Sequence, residues 1–243
     1  MKYLARISYD GSQFEGFQRL KNGKGVQNEL ERVLSKIACC PVQICGAGRT
    51  DALVHALDQC IHFELNQDFD EDKLLYMLNR NLDEAIAVLK IQKVSDDFHA
   101  RYDVKEKTYL YKIYLGKKNP FVQNYAYSIY QTLDVELMKQ CASLFIGEHD
   151  FQNFVCGKRT NYQANIFNMT VSKKDDYLYI EVNGKGFYRY MVRCLVGAMI
   201  QVGLGKVSLE DVYDALYHPE VEKRFMVAPP QGLYLKCISY SVI

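Results

Sequence analysis

Apolar residues recur along this chain with two different periods, and the switches between them mark out the elements. Residues 2–9 alternate as a half-buried strand does and run into a turn signal, Asp10-Gly11. Val26, Leu30, Val33, Leu34 and Ile37 then fall at helical spacing and form one stripe. A short apolar run over 41–45 leads to a loop, Gly46-Ala-Gly-Arg-Thr-Asp51. Residues 59–65 read as strand, 70–78 as helix and 85–94 as strand.

A second half begins near Lys107. Residues 108–115 are rich in tyrosine and β-branched side chains and read as strand, and Lys117-Lys118-Asn119-Pro120 reads as a turn or linker. An amphipathic helix is predicted over 134–145, with Asp134 as its cap. Residues 166–172 and 177–183 make a hairpin across the charged turn Lys173-Lys-Asp-Asp176. Residues 187–202 form a strongly apolar helix, 208–217 a shorter capped one, and 232–242 a last strand. Each half mixes strands with two or three helices and lacks regular βαβ alternation. The expected class is α+β with mainly antiparallel sheets, in two subdomains over 1–104 and 105–243.

Composition changes this picture little. The formal net charge is only +1, so a nucleic-acid partner would have to be met by locally segregated charge. The eight cysteines include no CxxC pair and no histidine at zinc-ligand spacing from a cysteine pair, so no metal site is expected. Several lie in apolar runs, such as Met191-Val-Arg-Cys-Leu-Val196, where free thiols act as small core residues. The first residues are too short and polar for a signal peptide, and no apolar stretch has membrane-spanning length. A reduced, cytoplasmic protein away from the membrane is the expectation.

The most specific stretch is Gly48-Arg-Thr-Asp-Ala-Leu-Val-His-Ala56, continued by Gln59 and His62-Phe63. Taken alone it is a tight loop carrying an acid, and Asp51 could simply cap the turn or pair with Arg49. Arg193 stands in an otherwise apolar run, where a guanidinium needs an anion, a route to solvent, or a bond to Glu148 or Asp150. Tyr109 and Tyr111 share one face of their strand, and sheet packing explains either of them.

These segments together resemble the TruA family of tRNA pseudouridine synthases, whose motif reads GRTDAGVHA followed by Q-x-x-H-F. The likeness continues through Tyr9-Asp-Gly-Ser-x-Phe-x-Gly-Phe-Gln18, Val26-Gln27, Leu30-Glu31, Asn79-x-Asn-Leu82, Asp97-Phe-His-Ala-Arg101 with Tyr109-x-Tyr111, and Gly147-x-His-Asp-Phe151. Gly186-Phe187, Met191-Val-Arg193 and Ala228-Pro229 with Gly232-Leu-Tyr-Leu235 complete it in order, across nearly the whole chain.

The resemblance implies a pseudouridine synthase fold, with two subdomains flanking a central RNA-binding cleft, and a homodimer acting on RNA, most simply on uridines 38–40 of the tRNA anticodon stem-loop. It makes Asp51 the nucleophile, Arg193 its ion-pair partner, and Tyr109 the residue that stacks on the base or assists proton transfer. Tyr109, Arg49, Thr50, Gln18, His55 and Arg101 are the expected substrate contacts. The reaction is redox-neutral, and a carboxylate serves attack on C1′, addition to the base or elimination through a glycal, so no cofactor is expected. The alternatives are the same reaction on rRNA or another tRNA site, and a catalytically silent RNA-binding protein.

Several positions depart from the family pattern. Leu53 stands where the motif has glycine, and a left-handed backbone there would cost about 1–2 kcal/mol. Phe17 replaces a tryptophan, Asp83-Glu84-Ala85 replaces Pro-x-Asp, and Asn161-Tyr-Gln-Ala-Asn-Ile166 lacks the usual Arg-Thr-Ile.

Overall fold

The structure is a computed structural model that describes residues 1–241. The chain forms two compact units: residues 1–105 together with the chain from Tyr234 on, and Glu106–Leu233. Both are α+β with mainly antiparallel pairing, as the mixed periods predict.

In the first unit, strands β1 (Lys2–Tyr9), β2 (Ile44–Gly46), β3 (His55–Glu64), β4 (Ile86–Lys93) and β10 (Leu233–Tyr240) surround the helices α1 (Val26–Ala38) and α2 (Glu71–Asn81) in sequence. The sheet order is β4-β1-β3-β10. The β1–β3 register runs from Lys2 opposite Glu64 to Ile7 opposite Gln59, then slips at an irregularity before Tyr9 meets Ala56. The far edge of β3 is shared, by β10 in parallel at His55 and Ala56 and by antiparallel β2 at residues 61–63. The strand therefore begins at His55, not at Gln59 as its alternation suggested. Pairing with two neighbours extends it through Leu57 and Asp58, where the period is broken.

Helix α1 buries Val26, Leu30, Val33 and Leu34, and the same stripe carries a buried acid, Glu31. Arg19 donates two bonds to that carboxylate, both 2.7 Å, and Gln27 and the Ile44 amide donate to it as well. Burial alone would raise the carboxyl pKa, but these four donors hold it below the ordinary value.

The second unit contains β5 (Val104–Tyr114, its first two residues in the other unit), β6 (Tyr127–Ser128), β7 (Gly147–Asp150), β8 (Gln163–Lys174) and β9 (Tyr177–Gly184), with α3 (Val135–Leu144), α4 (Met191–Gly203) and α5 (Leu209–Tyr217). Its strands lie in the order β5-β9-β8-β7. The predicted β8–β9 hairpin closes over Asp175 and Asp176, with Asp175 left-handed at φ 52°. Aspartate tolerates that conformation better than most residues.

Helix α4 is apolar on every side, and all but two of its residues are buried. It starts at Met191 and not at Phe187, because Tyr190 is left-handed (φ 62°) and cannot continue a right-handed helix. The segment 226–228 lies directly on it: a Cβ on Gly197 would sit 1.6 Å from the Met226 carbonyl oxygen. The last predicted strand is β10; it ends at Tyr240, and Val242 lies outside the described residues.

Among the described residues no helix is long and apolar enough to cross a membrane, and all eight cysteines are free thiols, with Cys60, Cys141 and Cys194 buried. Gly197→Ala should drive residues 226–228 off α4 and cost about 1–3 kcal/mol of stability, the usual range for overpacking, measured by urea unfolding.

Candidate active site

The loop that carries Asp51 is fixed from two other segments of the first unit, residues 9–17 and the β3 residues at 59–60. The Tyr9 hydroxyl lies 2.8 Å from the Thr50 Oγ1, and the Phe17 N–H donates to the Thr50 carbonyl at 3.1 Å. The Gly11 N–H donates to Nδ1 of His55, whose ring stacks on Tyr234 at 4.5 Å. Gln59, fully buried, donates from Nε2 to the Gly48 carbonyl at 3.0 Å. Tyr9 is so enclosed that burial pushes its hydroxyl pKa up to about 12, against the effect of its bonds to Thr50 and Gln59.

Two glycines make this contact possible by letting backbone approach backbone. A Cβ on Gly11 would lie 2.0 Å from the Val54 carbonyl oxygen. Gly16, at φ 112°, would carry one 3.1 Å from the Thr50 oxygen and 3.3 Å from the Ala52 nitrogen. The first two motifs of the sequence are thus two halves of one loop-on-loop contact.

Residues 51–54 form a turn closed by Val54 N–H to the Asp51 carbonyl at 3.2 Å, with Leu53 left-handed at φ 66°. That is the position where a type II turn calls for glycine, as the departure at Leu53 anticipated. Asp51 is half-buried and Arg49 exposed, whereas Thr50 and His55 are buried, 7% and 2% exposed, within the support of the loop. Gln18 is exposed beside Phe17, with its carbonyl oxygen under Gly25.

Arg101 lies elsewhere in the unit, exposed in the turn after Phe98. Cys45, His62 and His99 meet there, with one potential ligand atom from each within 4.8 Å of the others. A neutral imidazole has a single lone pair, and here the backbone holds both of them. The Ala100 N–H donates to His62 Nδ1 at 3.0 Å, and the Arg101 and Tyr102 amides donate to His99 Nδ1 at 3.2 and 3.3 Å. A metal-bound histidine does the reverse and donates its second ring nitrogen outward. The trio closes on itself, with His99 Nε2 3.8 Å from Cys45 Sγ.

Tyr109 and Arg193 belong to the second unit. Tyr109, on β5 opposite Val182, makes a T-shaped contact with the Phe187 ring, centroids 5.3 Å apart. Arg193 sits in the first turn of α4, where its Nε donates to the Ala228 carbonyl at 2.7 Å and the Ala228 N–H returns a bond to the Arg193 carbonyl at 3.0 Å. Its guanidinium also lies 4.9 Å from the centroid of the Tyr190 ring. Tyr111 is fully buried and donates to the Pro229 carbonyl at 2.7 Å, in keeping with a packing role.

Nothing in the sequence marks Tyr9, Gly16 or Tyr234 as supports of the loop. The nearest to a signal, for Tyr9, is an aromatic hydroxyl that closes a strand immediately before a turn, a common pattern.

A model of the family described as tRNA pseudouridine synthase matches residues 5–103 and 141–241. The chain is similar to the tRNA pseudouridine synthase A of Thermoanaerobacter sp. (strain X514), 40% identical over 238 residues that cover 96% of this chain and 97% of the relative. It is likewise 40% identical to that of Dictyoglomus thermophilum over 244 residues, covering 99% and 100% of the two chains. The tRNA pseudouridine synthase A 2 of Bacillus anthracis is 36% identical over 242 residues, 98% of this chain and 99% of its own.

Burial, with help from His99 and Lys2, lowers the His62 pKa from its usual 6.5 to about 4. Between those values the unfolded chain takes up a proton that the folded chain refuses, so stability is complete above the window and declines as pH falls through it. The urea midpoint should therefore drop from about pH 7 to about pH 5, and by less in His62→Gln. Equal slopes for the two proteins would reject this source of acid sensitivity.

Proposed function

The chain belongs to the tRNA pseudouridine synthase family, and on that premise we propose that Asp51 is the carboxylate through which it isomerises uridine to pseudouridine in tRNA. The observation that carries this reading is the immobilised loop. Asp51 stands on a loop held from residues 9, 11, 17 and 59, while its neighbour Arg49 is exposed and free to meet a polyanionic substrate. A reacting group already fixed in position avoids the entropy cost of being ordered during the reaction.

The bond between C1′ and N1 breaks, the base turns, and a bond between C1′ and C5 replaces it. C5 gives up its proton and N1 takes one, so nothing is oxidised or reduced, and one ionised carboxylate is sufficient. Arg193 is the partner we assign to Asp51. A guanidinium beside a carboxylate favours the charged form, which counters the field of nearby phosphates. Its Nε bond to Ala228 and its place in the first turn of α4 support this, because both fix the direction of the side chain.

Tyr109, braced by Phe187, is proposed to stack on the extruded base or to assist proton movement at C5. Arg49, Arg101 and Gln18 are exposed and suited to the RNA, whereas Thr50 and His55 act through the loop they hold. The proposal extends to uridines 38–40 of the anticodon stem-loop as targets, to a cytoplasmic enzyme, and to a homodimer in which two copies give a tRNA more surface than one.

Pseudouridine mapping of RNA from cells lacking the gene tests the targets. Loss at positions 38–40 supports them, loss elsewhere moves the reaction to another site, and unchanged RNA contradicts the reading. In vitro, Asp51→Asn should bind tRNA and lose about 10⁴-fold or more in kcat. Arg193→Met should move the acidic limb of the pH–rate profile up by about 1–3 units, and an unmoved limb would remove Arg193 from the charge balance of Asp51.

A further inference from the structure

The chemistry above makes no use of Leu53, yet the chain spends conformational strain on holding it where it is. The residue is left-handed (φ 66°) and 41% exposed, on the same four-residue turn as Asp51. A single exposed leucine is ordinary. An exposed leucine in a backbone conformation that suits glycine is not, because no burial offsets the cost.

The neighbours leave residue 53 no alternative. Gly16 lies against the backbone of residues 50–52, the Val54 N–H is tied to Asp51, and the Val54 carbonyl is pressed beneath Gly11. Val54 itself is 2% exposed, so the turn is anchored on its far side by a core residue. A rigid apolar knob is therefore held in solvent beside the reacting carboxylate.

We propose that Leu53 is a wedge that enters the base stack of the tRNA and fills the gap left by the target uridine. This rests on the reading of Asp51 as the catalytic carboxylate. A base buried in a helix must leave its stack before a side chain reaches its sugar bond, and the vacated gap loses stacking on both sides. An apolar side chain inserted between base steps restores part of that contact, and leucine is one of the residues used in this way. It carries no polar group to be stripped of water, and a turn already held in place loses little freedom on insertion.

The wedge helps only where there is a stack to open. The test compares a tRNA transcript with a base-paired target uridine and the same transcript with a mismatch opposite it. Leu53→Gly deletes the side chain while relieving the backbone, so the fold is retained, and its thermal midpoint is recorded alongside. On the paired transcript its kcat/KM should fall about 10-fold or more, and on the mismatched one by no more than about two-fold. Leu53→Met, which keeps a long apolar side chain, should act like the parent on both. No loss on the paired transcript, or an equal loss on both, overturns the wedge. If the parent makes no pseudouridine on either transcript, or Asp51→Asn turns over normally, the reading of the site fails and the wedge falls with it.

Discussion

The hydroxyl of Tyr9 against the hydroxyl of Thr50, 2.8 Å apart and sealed from solvent, is the interaction on which the candidate site depends. It lies where β1 loses register with β3, so the last residue of a strand is turned onto the loop that carries Asp51. The Phe17 amide, the Gly11 amide and the Gln59 side chain hold that loop at three further points, and Gly11 and Gly16 let the two backbones come together without a side chain between. A buried polar group is tolerable only when paired. Losing the tyrosine hydroxyl would leave Thr50 without that bond and would free the loop, not merely weaken the core.

The second unit presents its own residues by the same means. Gly197 lets the chain at 226–228 lie on α4, and the reciprocal bonds between Arg193 and Ala228 follow from that close approach. An arginine in the first turn of a buried helix gets a defined direction there, from a carbonyl at its Nε and a tyrosine ring beneath its guanidinium. In both units a glycine without a Cβ lets a second segment pack against the backbone that carries the candidate residue.

What could be read from the sequence was local. The stripe of α1, the β8–β9 hairpin and the strands β1 and β4 emerged from period alone, since each buries one face against its own unit. What could not be read was set by contacts distant in sequence. Tyr190 carries no mark of its left-handed backbone, so the helix was extended four residues too early. The start of β3 is fixed by Tyr9 on one side and by Tyr234, from the far end of the chain, on the other. The burial of Glu31 is not visible in the helical period, because its partners Arg19 and Ile44 lie outside its own helix. Asp51, Arg193 and Tyr109 are candidates only through the ordered resemblance across the whole chain. No spacing within one short segment singles them out.

Amide hydrogen exchange in the uncomplexed protein tests the central claim most directly. If the loop is clamped as described, the amides of Ala47, Phe17 and Val54, bonded to Cys60, Thr50 and Asp51, should exchange about as slowly as the core of β3, through global opening. Replacing Tyr9 with phenylalanine should speed Phe17 and Val54 selectively. Fast exchange of these amides in the parent, on the scale of exposed loops, would mean that the loop is not held before substrate arrives, and the account would be wrong.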